Sequence, residues 1–94
     1  MRVVWTETAE ADLDALVTYV AQDSIAVALT MDARIRADAR GLADFPERAA
    51  KGRISGTREL VVPHYRCVLV YKLQADLVQI LRLIHGGQEW PDER

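Results

Sequence analysis

Ninety-four residues, half of them apolar and 28% charged, fit one folded domain over residues 1–94 and exclude a disordered chain. No apolar run reaches the ~18–20 residues of a membrane span and no secretory pattern precedes Val3, while the single Cys67 and the absence of zinc-ligand spacing point to a reducing cytoplasm, with no metal and no cofactor. The net charge of −2 conceals a split: residues 1–47 carry four basic and nine acidic side chains, whereas residues 48–88 carry seven basic ones against Glu59 and Asp76, so the second half is the one suited to an anionic partner.

Val3-Val4-Trp5 is a short β-rich run between Arg2 and Thr6 and is predicted to be a strand. Thr8 is placed to cap a following helix, with Glu10 and Asp12 in its first turns, where the helix dipole favours negative charge. Leu13, Leu16, Val17 and Val20 then fall at i, i+3, i+4 and i+7, the apolar stripe of an amphipathic helix. Gln22-Asp23-Ser24 breaks that pattern, and Ser24 can cap a second helix running through Ile25, Ala28, Ile35, Ala39 and Leu42 until Phe45-Pro46 stops it. So short a connection predicts an antiparallel helical hairpin.

From Glu47 to Gly56 the chain is polar and glycine-containing, which reads as a loop. Three strand-like runs follow, Thr57–Val62, Arg66–Leu73 and Leu77–Ile84, and their short connections predict an antiparallel meander with the hairpin on one face, an α+β architecture. Cys67–Tyr71 and Leu77–Ile84 are apolar at both parities apart from Gln79 and Arg82. A half-exposed strand alternates, so these two expect cover on both faces, and two helices supply it on one. Part of the second face is therefore expected to be covered by another chain.

No nucleophile elbow, P-loop, dinucleotide fingerprint or metal motif is present. What remains for chemistry is the set Lys51, Arg53, Arg58, His64, Arg66, Arg82 and His85. RNA cleavage would employ such groups: a base for the 2′-OH proton, cations for the phosphorane-like charge, and an acid for the leaving oxygen. An imidazole suits the acid or base, and an arginine can fork onto phosphate oxygens. In a regular strand, however, Arg82 shares a face with Val78, Ile80 and Ile84 while His85 falls on the opposite one. The two converge only if the strand ends or bulges near Ile84, ahead of Gly86-Gly87. A bond to backbone at a strand end is the plainer role for His85, and His64 reads as a solvated turn residue. Arg82 is a charge within an apolar strand and needs a partner, which Glu59 or an anionic ligand would supply. Trp90 is expected to fold back on the core edge, Trp5 and Tyr71 to be core residues with polar tips, Tyr65 to pack in its turn, and Cys67 to be a small core residue.

The order β-α-α-β-β-β, with the segments GRISGTREL (Gly52–Leu60), YRCVLVY (Tyr65–Tyr71) and ILRLIHGGQEWP (Ile80–Pro91), resembles the RelE/ParE superfamily of bacterial toxins. The resemblance spans nearly the whole chain. It implies the toxin half of a type II toxin–antitoxin pair, blocked when a cognate antitoxin wraps a segment around it, the complex being expected to bind its own operator DNA through the antitoxin. Two targets stay open. ParE-like members act on DNA gyrase and lack a nuclease centre, whereas RelE-like members cut messenger RNA in the ribosomal A site. For a RelE-like chain the resemblance puts catalysis on Arg53, Arg58, Arg82 and His85; for either branch, Lys51, Arg53, Arg58, Arg82, His85 and Trp90 are the expected target-binding residues. No tyrosine follows His85, Gly86-Gly87 stand where a second catalytic group is expected, and the acidic balance departs from that of ribosome-cutting members. The reading therefore leans to a ParE-type gyrase inhibitor. A protein-binding module without toxic activity would use the apolar second face equally well and stands as a third reading.

Overall fold

The computed structural model describes residues 1–86 and Trp90. Its elements in chain order are β1 (Arg2–Trp5), α1 (Glu7–Ala21), α2 (Ile25–Arg40), a 3-10 turn at Gly41–Ala43, β2 (Ala50–Lys51), β3 (Arg58–Val62), β4 (Cys67–Gln74) and β5 (Leu77–His85). The expected strand, helical hairpin and three-stranded meander are all present. The cap of α1 is Thr6, not Thr8: its backbone is extended and its hydroxyl oxygen accepts the Ala9 N–H at 3.1 Å. β1 ends at Trp5, so Thr6 is the first residue free to take the cap position, and Thr8 falls inside the first turn. Ser24 caps α2 as expected, accepting the Val27 N–H at 3.1 Å.

The sheet has five strands in the order β1-β5-β4-β3-β2, with β1 parallel to β5 and the other pairs antiparallel. Two members extend the predicted meander. β1 returns to the outer edge of β5, and a two-residue β2 lies inside the segment read as loop 47–56. The helices pack on one face: Ala9, Leu13 and Leu16 of α1 and Met31, Ile35 and Ala39 of α2 meet Leu60 and Val62 of β3, Leu69 and Tyr71 of β4, and Val78, Ile80 and Leu83 of β5. Each fully buried Leu or Ile here contributes about 1.5–3 kcal/mol relative to an exposed one.

β5 is not regular. Its register with β4 runs from Cys67↔His85 to Val70↔Arg82 and then steps to Tyr71↔Ile80, leaving Leu81 as an extra residue. Such a bulge reverses the parity of everything beyond it. Val78, Ile80 and Leu83 thus all join the helix-facing core, while Arg82 and Ile84 project the other way. Arg82 therefore shares a face with Ile84 but not with Val78 and Ile80, contrary to the regular-strand expectation.

That second face is also less open than expected. Val70 and Ile84 are 1% and 2% exposed within this chain alone, so neither awaits another chain to cover it. The large apolar side chains left in solvent lie mainly on the hairpin, at Tyr19, Ile25, Val27 and Leu29, with Phe45 and Val61 elsewhere. Among the described residues no helix is long and apolar enough to cross a membrane.

Candidate functional site

The six residues expected to bind a target occupy four places. Lys51 and Arg58 face each other across β2 and β3. The Gly52 N–H donates to the Thr57 carbonyl at 2.8 Å, so the adjacent Lys51–Arg58 pair is a non-hydrogen-bonded one, whose side chains approach closely. Arg58 alternates with Leu60 and Val62, which puts this pair on the helix side of the sheet. Its Nη1 donates to the carbonyls of Ala49 at 2.7 Å and Glu47 at 3.4 Å. Gly52 is needed for this corner, because a Cβ there would lie 2.5 Å from the Thr57 hydroxyl and 3.1 Å from a Glu59 carboxylate oxygen. Lys51, Gly52, Ser55, Gly56, Thr57, Arg58 and Leu73 line a solvent-open cavity of about 490 Å³.

Arg53 sits on the other side. Its backbone N–H donates to Glu59 at 2.7 Å, and its Nε and Nη2 reach the same carboxylate at 3.2 and 3.4 Å. The Arg53 guanidinium lies over the Trp90 ring, 3.5 Å from the ring centroid, a cation–π contact that places Trp90 on the Arg53 loop and not on the expected core edge. Glu59 is thereby engaged by Arg53, its neighbour in the loop, and not by Arg82.

The partner of Arg82 is Asp12, on α1. Arg82 Nε donates to Asp12 Oδ2 at 2.7 Å and Nη2 to Oδ1 at 3.3 Å, while Oδ2 also accepts the Leu83 N–H at 2.9 Å. The reason is the sheet edge. β1 ends opposite Ile80, which leaves the outer edge of β5 at residues 81–83 without a strand neighbour. α1 covers that edge: the Thr6 hydroxyl donates to the Leu81 carbonyl at 3.2 Å and Asp12 takes the Leu83 N–H. Asp12 is the residue that reading the sequence missed. It is visible there only as an acidic group in a first helical turn, and nothing in the spacing announces a partner 70 residues away.

His85 pairs with Cys67 at the far end of β5 and is exposed. The register is regular from Arg82 to His85, so the two project from opposite faces; the bulge lies at Leu81, before both, and not near Ile84. Gly86 does adopt a left-handed backbone, with φ 42°, but after the strand has ended. Gly87 lies outside the described residues. His85 borders a second cavity, of about 340 Å³, with Asp12, Leu16, Tyr19 and Leu83.

The remaining candidates are structural. His64 and Arg66 hold left-handed conformations, with φ 76° and 53°, in the exposed turn between β3 and β4, whose Tyr65 packs against the core. Burial pushes the Cys67 thiol up from its ordinary value, and its Sγ donates to the Tyr65 carbonyl at 3.1 Å, so it is not an activated nucleophile. Tyr71 is fully buried with its hydroxyl donating to the Pro46 carbonyl at 2.8 Å. Burial raises its phenol, against the opposing pull of an Ala49 backbone bond and of Arg58 and Arg48.

The family model described as the ParE toxin of the type II toxin–antitoxin system parDE matches residues 3–90. The chain is 36% identical over 90 residues to the protein Y4kP of Sinorhizobium fredii, covering 96% of this chain and 93% of that one. It is 37% identical over 87 residues to Toxin RelE2 of Caulobacter vibrioides, covering 93% of this chain and 97% of the relative. Among solved structures, the chromosomal ParDE toxin–antitoxin system of P. aeruginosa superimposes with a TM-score of 0.81 at 26% identity, over 90% of this chain and 95% of that one. The HP0894 protein of Helicobacter pylori shares the fold, with a TM-score of 0.54 at 22% identity over 88% and 91% of the two chains.

Proposed function

The chain belongs to the ParE toxin family of type II toxin–antitoxin systems, and from that membership we propose that it acts as a ParE-type toxin, halting replication by inhibiting DNA gyrase until a cognate antitoxin blocks it. The observation that supports this over RNA cleavage is the separation of Arg82 from His85. A nuclease needs base, acid and cations gathered about one phosphodiester. Here Arg53 is held by Glu59 and Trp90, Arg58 by backbone carbonyls and Arg82 by Asp12, while His85 projects from the opposite face of its strand. A toxin that binds its target without cutting needs no such convergence. The second reading, a ribosome-dependent mRNA endoribonuclease using Arg53, Arg58, Arg82 and His85, draws its support from the RelE name of the 37% identical Caulobacter relative.

The same proposal assigns the antitoxin to the helical hairpin. Tyr19, Ile25 and Leu29 are 68%, 69% and 62% exposed, and Ile25 and Leu29 lie one helical turn apart on α2. Large apolar side chains left in solvent on neighbouring turns of one helix support an interaction site there. Expression without a partner tests the functional reading. Growth should arrest with thymidine incorporation falling before methionine incorporation, and co-expression of the neighbouring gene's product should restore growth. Translation failing first contradicts the gyrase target, and harmless expression leaves only the non-toxic module.

A further inference from the structure

The corner where β2 meets β3 holds an arrangement that the fold does not require. Lys51 and Arg58 stand directly opposite each other, where like charges repel. Such opposed residues have Cβ atoms roughly 4.5–5.5 Å apart. Only one of them is compensated. Arg58 donates to the Ala49 and Glu47 carbonyls and lies 4.0 Å from the Glu47 carboxylate, whereas Lys51 has no hydrogen-bond or ion-pair partner among the described residues. The nearest other carboxylate on this hairpin, Glu59, belongs to the opposite face and is held by Arg53. Lys51 and Arg58 thus both line one cavity, and the Lys51 ammonium stands there without a counter-charge among the described residues.

The rest of that wall suits the same kind of ligand. Ser55 adds a hydroxyl group to the lining and Gly56, with open space where a Cβ would lie, brings loop backbone to it, while the Thr57 hydroxyl donates to the Ile54 carbonyl at 2.6 Å. Leu73 of β4 adds an apolar surface. A volume of about 490 Å³ is well beyond a single phosphate and within the roughly 300–1,000 Å³ of small-molecule pockets. A linked phosphate chain carries successive charges a few ångströms apart, which matches a guanidinium fork beside an ammonium point charge. We infer that this cavity binds a small ligand bearing a di- or triphosphate group, with the Lys51 ammonium and the Nε and Nη2 edge of Arg58, whose Nη1 alone is bonded to the Ala49 and Glu47 carbonyls, holding the phosphate chain and Leu73 the wall for whatever the chain is attached to. The inference does not depend on which cellular target the toxin has.

Calorimetric titration of the purified full chain with pyrophosphate, ATP, adenosine and a short DNA duplex tests it. Pyrophosphate and ATP should each bind saturably and adenosine should not. Lys51→Ala should weaken both roughly tenfold or more, the loss of one charge-assisted contact. Lys51→Glu should abolish both, and Lys51→Arg should keep both. Lys51 is exposed in a two-residue strand, so all three variants should melt with the wild type. Equal affinities identify an inorganic phosphate chain as the ligand, and tighter ATP binding assigns the Leu73 wall to a nucleoside. No saturable binding of either phosphate, binding that survives in Lys51→Glu, or binding of the duplex alone overturns the inference. Growth arrest is scored separately, so failure here and failure of the gyrase reading are distinguishable.

Discussion

Asp12 joins two parts of the molecule through one carboxylate, pairing with the Arg82 guanidinium and accepting the Leu83 N–H on the open edge of β5. Removing it strands a partly buried cation and a backbone donor, so Asp12→Ala should cost about 2–3 kcal/mol in urea denaturation. Arg82→Ala should cost a similar amount, and the double variant should fall short of the sum by about 0.5–3 kcal/mol. An Arg82→Ala protein that loses activity while keeping wild-type stability would contradict the structural role given to Arg82. Tyr71 supports a prediction in pH. Its phenol is raised in the fold by burial, so the neutral form is favoured there. The corresponding stability is fully present below the unfolded value near pH 10 and is lost as pH rises through the higher folded value. Alkaline unfolding should therefore be steeper in the wild type than in Tyr71→Phe, a variant that loses one hydrogen bond to Pro46, about 1 kcal/mol at neutral pH. The buried Cys67 shifts in the same direction and should leave a residual alkaline decline in Tyr71→Phe.

At the scale of elements, what was legible in the sequence was what has a period. The stripe Leu13, Leu16, Val17, Val20, the apolar series Ile25, Ala28, Ile35, Ala39, Leu42 after Ser24, and three strand-like runs with short connections are local signals, and α1, α2 and the meander follow from them. β2 is only two residues long and has no period to detect. The bulge at Leu81 is hidden because β5 is apolar at both parities, so one inserted residue leaves no mark on its pattern. The same continuous apolarity suggested a second face covered by another chain, whereas Val70 and Ile84 are already buried within this one. The candidate site fared similarly. The individual cations were visible by type, but their partners are set by cross-strand register and by the position of α1, neither of which spacing encodes. The apolar surface left over lies mainly on the hairpin, and amide exchange there should slow when the antitoxin is added. Leu29→Asp, at a 62% exposed position, should weaken that complex by roughly tenfold or more while leaving the isolated toxin's melting temperature within a few degrees. Protection confined to the sheet, with the hairpin exchanging as before, would move the antitoxin to the other face.

For the molecule as a whole, the charge split sets how partners arrive. Residues 48–88 carry seven basic side chains against two acidic ones, yet Arg53 and Arg82 are paired internally with Glu59 and Asp12. The field seen by a partner is correspondingly modest, which fits protein docking better than competition for RNA phosphates along a ribosomal channel. An antitoxin carrying acidic residues should associate more slowly as salt rises, with its dissociation rate nearly unchanged. An association rate indifferent to ionic strength would remove the electrostatic part of this picture. The central claim, that this toxin acts on gyrase and does not cut RNA, is tested most directly by adding the purified chain to a gyrase supercoiling reaction. Supercoiling should stop or cleaved gyrase–DNA complexes accumulate, and prior addition of the antitoxin should prevent both. Undiminished supercoiling, together with messenger RNA cleavage in a translation extract that His85→Ala abolishes, would contradict it.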